Sequence, residues 1–370
     1  DKDGMTQVAF RLLQELTKRH AVTVWSISTS SDTANDLQSI GVRSVRLFPI
    51  RPRSLISYYL FGSRVPYFQT RYESRALHTA LQTLTAGQFD LAVIHSPFVG
   101  QYITDVTACP VVVHAMDTMS TWFEKTAQHE WRPWKAMHLQ NEARRARRCE
   151  ATQYRHAKAI TFVSPTDEAT VRALVPAAVT TVTIPIGIDR KKFYPGTTPR
   201  QPATIVFSGM MNYPPNIDAA QWFCHEVWPA VQSHFPEARF RIVGKDPVPT
   251  VKALAAIPGV EVTGMVPSVI DDLRAATIVV SPLRFGTGFK IKVIEAIACA
   301  APLIASTEKM HGIDLLPSKD VIVADESESW GIALKQLVGH QFRRDELGRN
   351  AQEADLRIVV SVMERRAEDL

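Results

Sequence analysis

The sequence predicts an α/β protein built from two tandem doubly wound, Rossmann-like parallel-sheet domains facing a cleft. Three observations carry this. Apolar runs of four to six residues alternate with helical stretches along the chain. The runs are rich in consecutive Val and Ile, as in strands covered by helices on both faces. A Pro- and Gly-rich stretch near the middle interrupts the alternation, which then starts again. At 370 residues the chain is long enough for two domains of ordinary size.

The elements follow in order. Met5–His20 carries Val8, Leu12, Leu13 and Leu16 at helical spacing. Doubly wound domains begin on a buried strand, yet Asp1-Lys2-Asp3-Gly4 leads straight into this helix, so the first strand is expected to be missing from this stretch of chain. Strands follow at Ala21–Ser28, Val42–Phe48, Asp90–His95, Pro110–His114 and Ala159–Ser164. A long polar, basic helix, about Lys135–His156, separates the last two. Residues 180–199, with Pro185, Gly187, Pro195, Gly196 and Pro199, read as a linker. Beyond it come strands at Ala203–Ser208, Arg239–Val243, Val260–Thr263, Ile278–Ser281, Pro302–Ser306 and Asp320–Ala324, with helices at Ile217–Phe235 and Ser268–Ala275. The expected domains are 1–195 and 196–350, and 351–370 is expected to form a C-terminal helix packing back toward the first domain. Ligands of open parallel sheets bind beyond the carboxyl ends of the strands, so the loops after strands are the places to search.

Composition narrows the partners. No apolar run reaches the ~18–20 residues of a membrane span. Cys109, Cys149, Cys224 and Cys299 are far apart and form no CxxC pair, which argues against zinc or a disulfide framework and fits a reducing cytoplasm. The net charge of +5 is uneven: residues 1–197 hold 24 basic and 16 acidic side chains, the remainder 18 and 21. A basic first half suits an anionic partner, whether a membrane surface, a lipid-linked phosphate or a nucleic acid; a solvated basic face is the plainer alternative. No nucleic-acid reader motif accompanies the charge.

The most informative stretch is Arg284-Phe285-Gly286-Thr287-Gly288-Phe289-Lys290-Ile291-Lys292-Val293-Ile294-Glu295. A strand runs into a loop with two glycines, and the loop opens a helix. Glycines allow close approach of backbone N–H groups to an anion, and a helix N-terminus adds about half a positive charge. Lys290 supplies a full charge; Lys292, two residues on, points to another face and is the weaker candidate. Glu295 can accept hydrogen bonds from two hydroxyls. Phosphates at one end and a diol at the other describe a sugar nucleotide.

Three signatures then resemble one family over essentially the whole chain. They are Pro185-Ile186-Gly187-Ile188-Asp189 with Phe193-Tyr194-Pro195; Phe207-Ser208-Gly209 followed by Met210 to Asn216; and Thr287–Glu295 continued as Ala296 to Ala305. Together they resemble the bacterial family-4 (group 1 type) glycosyltransferases of the GT-B architecture, in a sub-branch of exopolysaccharide and cell-surface glycan assembly. Two features depart from the family: Thr287 stands where a first glutamate is usual, and Met210 and Met211 stand near the place of an Arg/Lys pair.

The resemblance implies a retaining, metal-independent hexosyltransferase, cytoplasmic or at the inner face of the plasma membrane. It needs no cofactor. Its donor would be a UDP- or GDP-sugar and its acceptor a lipid-linked or polysaccharide glycan. It implies peripheral membrane contact through the basic first domain and no nucleic acid. His114, Asp117 and Lys290 become catalytic candidates. Gly4, Ser208, Gly209, Gly264, Met265, Val266, Arg284, Gly286, Thr287, Gly288, Phe289, Lys290, Ile291 and Glu295 become donor-binding ones. Several have plainer readings: His114 as a hydrogen-bonded strand-end histidine, Asp117 as a helix N-cap, Gly264-Met265-Val266 as a simple turn. Arg144, Arg145, Arg147 and Arg148 on the long helix, and Tyr58, Tyr59, Phe61 and Phe68 among Arg51, Arg53 and Arg64, suggest membrane-facing patches; a solvated face and a packed loop are the alternatives. Domain closure about 185–200 would align the reactants. A sugar-nucleotide epimerase or phosphorylase of the same fold, or a non-catalytic nucleotide- or glycan-binding protein, remain the competing readings.

Overall fold

The computed structural model describes residues 4–28, 31–50, 58, 65–185, 187–197, 199–286, 291–310 and 315–368. The chain divides into two compact units, Asp1–Pro185 and Ile186–Gly286 with Lys290–Leu370.

The first unit opens with helix Gly4–Leu16 and then lays down only parallel strands. β1 (Thr23–Ile27) pairs with β2 (Ser44–Phe48). β3 (Ala92–His95), β4 (Val111–Met116), β5 (Ala159–Phe162) and β6 (Thr180–Thr183) form a second sheet in that order. β6 corrects the linker expected at 180–199. Thr180-Thr181-Val182-Thr183 pairs in register with Ala159–Phe162, and its β-branched side chains suit a pleated strand. The long basic helix runs Pro133–Gln153, with Pro133 in its first turn, where a missing N–H costs nothing. Buried Val113, Ile160 and Phe162 centre the core of this sheet.

The second unit is one six-stranded parallel sheet: β7 (Thr204–Ser208), β8 (Arg239–Val243), β9 (Val260–Gly264), β10 (Ile278–Ser281), β11 (Leu303–Ala305) and β12 (Ile322–Val323). Their spatial order is β12-β11-β10-β7-β8-β9. Counted within the unit this is the doubly wound 3-2-1-4-5-6 arrangement, whose strand order reverses between its first and fourth strands, here β7 and β10. Consecutive apolar residues fill both faces: all of β7, β10 and β11 is buried.

The single helix expected at Ile217–Phe235 is interrupted. Pro214–Trp222 passes through a π-turn, Phe223–Val227, into Trp228–His234. Pro229 is the reason, because it has no N–H to donate and its ring crowds the carbonyl four residues back. Helix Ile291–Ala298 follows β10, and the last helix runs Gln341–Glu368. The half-buried Arg200 guanidinium fastens the start of the unit. It donates to the carbonyls of Ala276 (2.9 Å), Arg274 (3.2 Å) and Ala300 (2.7 Å), groups left over where two helices end.

Candidate functional site

At the carboxyl edge of the second sheet, three strands end side by side on glycines. Gly209 N–H donates to Val243 O (2.9 Å) and Gly244 N–H to Gly264 O (3.1 Å), so the ladders run on past the strand ends. A Cβ on Gly244 would sit 1.6 Å from Gly209 O, and one on Gly209 2.7 Å from Asn216 Nδ2 and 2.8 Å from Lys292 Nζ. No side chain fits at either position. These glycines serve close approach of chain to chain, and the amides of Gly209 and Gly244 are already used.

The end of β7 at Gly209 is bounded by a lysine. Lys292 Nζ donates to Asn216 Oδ1 (2.7 Å) and lies 4.6 Å from the ring centre of fully buried Phe207. Asn216 is itself buried and turned, its Nδ2 donating to Met210 O (2.8 Å). An ammonium is thus fixed beside the end of β7, at the strand-order reversal. Asn216 supplies the hydrogen bond, and the face of Phe207 takes part of its charge.

Lys292 is the weaker of the two lysines in the sequence reading; the structure places it at the end of β7, while Lys290 lies outside the described residues. Helix Ile291–Ala298 buries Val293, Ile294, Ala296 and Ile297, leaving Lys292 and Glu295 on its partly open side. They stand three residues apart, and such residues are neighbours on one face. The spacing was the available signal. Asn216 closes the second of the three signatures, which marks its position without giving it a role.

The other expected donor residues fall as follows. Ser208 ends β7 and is buried. Gly264 closes β9 with φ +70°, Met265 beyond it is exposed and Val266 half-buried. Arg284 does not join Lys292. Its guanidinium is paired in two-pronged fashion with Asp218 (Nε to Oδ2, 2.9 Å) beside Trp222. Asp218 lies two residues from Asn216, about 200° around their helix, so the two residues serve opposite flanks. Ile291 begins its helix, and Gly286 ends the stretch described before it. Thr287, Gly288, Phe289 and Lys290 lie outside the described residues. Gly4 is the first residue of helix Gly4–Leu16 rather than part of an open loop.

In the first unit, His95 and His114 are partners in register on β3 and β4, their rings stacked at 5.0 Å and 10°. Burial, and then the neighbouring His95, lower the His114 imidazole to about 4, and its buried Nδ1 has no hydrogen bond among the described residues. The strand-end histidine with a satisfied ring, the plainer reading, is not what is found. Past His114 the ladder shifts register, Met116 adopts φ +62°, and Asp117 N–H turns back to Ala115 O (2.8 Å). Asp117 is not the cap of the next helix. Thr118 holds that position, and the amides there go to buried carboxylates: Thr118 N to Asp167 (3.0 Å) and Ser120 N to Glu150 (3.0 Å).

Both patches of the first unit are revised. Arg144, Arg147 and Arg148 are exposed, but Arg145 turns inward toward Tyr58 and Glu142. Tyr58 and Phe68 are buried, and the Tyr58 hydroxyl donates to Glu142 (2.8 Å). Tyr59, Phe61, Arg51, Arg53 and Arg64 lie outside the described residues. Among the described residues there is no cluster of His, Cys, Asp and Glu able to hold a metal, and no helix long and apolar enough to cross a membrane.

Among curated protein sequences none is significantly similar to this chain. Solved structures are. HepE from Anabaena, determined with UDP and glucose, is 15% identical with a TM-score of 0.68, over 100% of this chain and 96% of that one. Sucrose-phosphate synthase from Thermosynechococcus elongatus is 16% identical with a TM-score of 0.66, over 98% of this chain and 92% of that one. S. aureus TarM is 13% identical with a TM-score of 0.59, over 79% of this chain and 57% of that one. At such identities the likeness carries the fold, two Rossmann-like domains of GT-B type. The sequence itself matches two family models, glycosyl transferases group 1 over residues 202–340 and the glycosyl transferase 4-like domain over residues 3–187. With half of its length matched by the second model, the chain belongs to the glycosyltransferase 4-like family.

Proposed function

We propose that the chain moves a glycosyl group, with retention and without a metal ion, from a nucleoside-diphosphate sugar to a hydroxyl of a lipid-linked or polysaccharide glycan. The observation that carries this is the Lys292 ammonium held by Asn216 at the end of β7. Breaking the bond between the sugar C1 and the diphosphate leaves negative charge on phosphate oxygen. A preorganised cation out of bulk water stabilises that charge as it develops, and one such group is worth ~3–4 kcal/mol. The acceptor oxygen forms the new bond to C1, and its proton passes to the departing diphosphate.

Lys292 is assigned to the diphosphate, and Glu295, on the same helix face, to the ribose hydroxyls. Lys290 is a second cation for the same phosphates. His114, kept neutral, is suited to polarise a sugar hydroxyl, and Asp117 to orient one. That HepE was determined with UDP and glucose supports a UDP-sugar as the donor. The site of action is proposed to be the inner face of the plasma membrane, in assembly of a cell-envelope polysaccharide.

Nucleotide release from UDP-glucose, followed with and without acceptor, tests the reading. Lys292→Ala is expected to lower turnover about a hundredfold or more, with unchanged circular dichroism. Turnover of the variant at the wild-type rate would remove the diphosphate role. Conversion of the donor with no nucleotide released would favour the epimerase.

A further inference from the structure

We infer that the elbow between helices Met119–Gln128 and Pro133–Gln153, with the outer stripe of the second helix, is a docking surface for an anionic lipid bilayer. Trp131 is 83% exposed, Trp134 66% and Met137 62%. Three large apolar side chains within seven residues form an exposed patch of the kind that marks an interaction site.

The elbow is built rather than slack. The Arg132 guanidinium stands 5.6 Å from the ring centre of Trp131 and 5.7 Å from that of Trp134. Glu130 holds it (2.8 Å to Nε) and also takes Lys135 (2.6 Å). Two indoles are therefore propped outward by a cation, with a second cation next to them. Indoles of this kind favour the boundary between lipid headgroup and acyl chain, with the polar edge wet and the body apolar.

The helix continues the pattern. Trp134, Met137, Asn141, Arg144 and Arg148 lie within about 80° of one another at 100° per residue, over about 21 Å. All five are exposed. The opposite side holds buried Leu139, Glu142, Ala146, Cys149 and Glu150. The outward stripe is thus apolar at its start and basic at its end, with Arg147 beside it. Between Glu124 and Arg148 there are seven basic and three acidic side chains, a net +4. Aromatic insertion at one end and arginine–phosphate contact along the rest fit a bilayer carrying negative headgroups, where each cation near the surface adds about fivefold in affinity. A neutral protein surface would have no use for the arginines.

The inference stands apart from the transfer reaction, because docking is read with neither donor nor acceptor present. The full chain is mixed with sedimenting vesicles of phosphatidylcholine alone or with 30–40% phosphatidylglycerol, on the order of the anionic content that gives such charge effects. The expected result is binding to the anionic vesicles only, weakened by added salt, with a blue shift of tryptophan emission. The double variant W131S/W134S should lose at least about tenfold in affinity and lose the blue shift, and R144Q/R147Q/R148Q should lose affinity but keep the shift. All five side chains are exposed, so unchanged thermal melting certifies the fold. No binding by the wild-type protein, or equal binding by W131S/W134S, overturns the inference. So does self-association abolished by the same substitutions without vesicle binding, which would give the face to a second copy of the chain.

Discussion

His114 shows how a single residue departs from its sequence reading and yields a measurement. Its ring is stacked on His95 in the sheet interior, so protonation would put a charge where water is scarce, beside a second imidazole. The folded value is depressed from 6.5 to about 4. Between those limits the unfolded chain binds a proton at this site and the folded chain does not. The associated stability is complete above pH 6.5 and is lost as pH falls toward 4, by on the order of 1–2 kcal/mol at pH 5. Urea denaturation at pH 7 and pH 5 should show that loss in the wild-type protein and a smaller one in His114→Gln. An equal loss in both would show that other groups govern the acid limb. The strand was legible in Pro110–His114, although β4 runs on to Met116 and so places His114 inside it rather than at its end; the stacking partner was not, because the register of β3 against β4 joins residues 19 apart.

At the scale of elements, parallel strands were the most legible feature, since burial on both faces leaves runs such as Ile278-Val279-Val280 with no polar interruption. Elements that obey other rules were harder. β6 is short and made of threonines, so its pairing with β5 is decided by the sheet rather than by hydrophobicity. The π-turn at Phe223–Val227 is an effect of one proline on a pattern that otherwise reads as one helix. The Lys292–Asn216 contact joins two elements 76 residues apart, which no local pattern encodes. Arg200 is the clearest case of an element held by one side chain. It sits just before β7 and answers carbonyls at the ends of helices Val269–Ala275 and Ile291–Ala298, the second of which carries Lys292 and Glu295. Removing it leaves partly buried acceptors without donors. Arg200→Ala should therefore cost about 2–4 kcal/mol in chemical denaturation, and Arg200→Lys, with a single ammonium in place of the fork, should recover only part. Loss of less than ~0.5 kcal/mol, the usual size of a surface change, would mean the clip is not structural.

The two units differ in how they are held together, and that difference should be visible in the whole molecule. The second has a large described apolar cluster in which Phe207, Phe223, Trp228, Phe240 and Trp330 are all fully buried, with Phe223 4.4 Å from Phe240 and 5.7 Å from Trp330. The first has two smaller described clusters and relies on buried polar contacts. Gln69 and Gln153 exchange amide hydrogen bonds (3.1 and 3.0 Å), and Glu142 takes Tyr58 and the Tyr67 amide (2.7 Å). Glu150 takes both the amide and the hydroxyl of Ser120. Buried carboxylates add little net stability when satisfied, but removing one leaves donors stranded, at a cost of about 3–5 kcal/mol. Scanning calorimetry should therefore resolve two transitions, the first unit melting at the lower temperature. Glu150→Ala should lower that transition alone, and Arg200→Ala the upper one alone. A single transition displaced equally by both substitutions would mean that the cores unfold as one, and the order of stability argued from their composition would have no meaning.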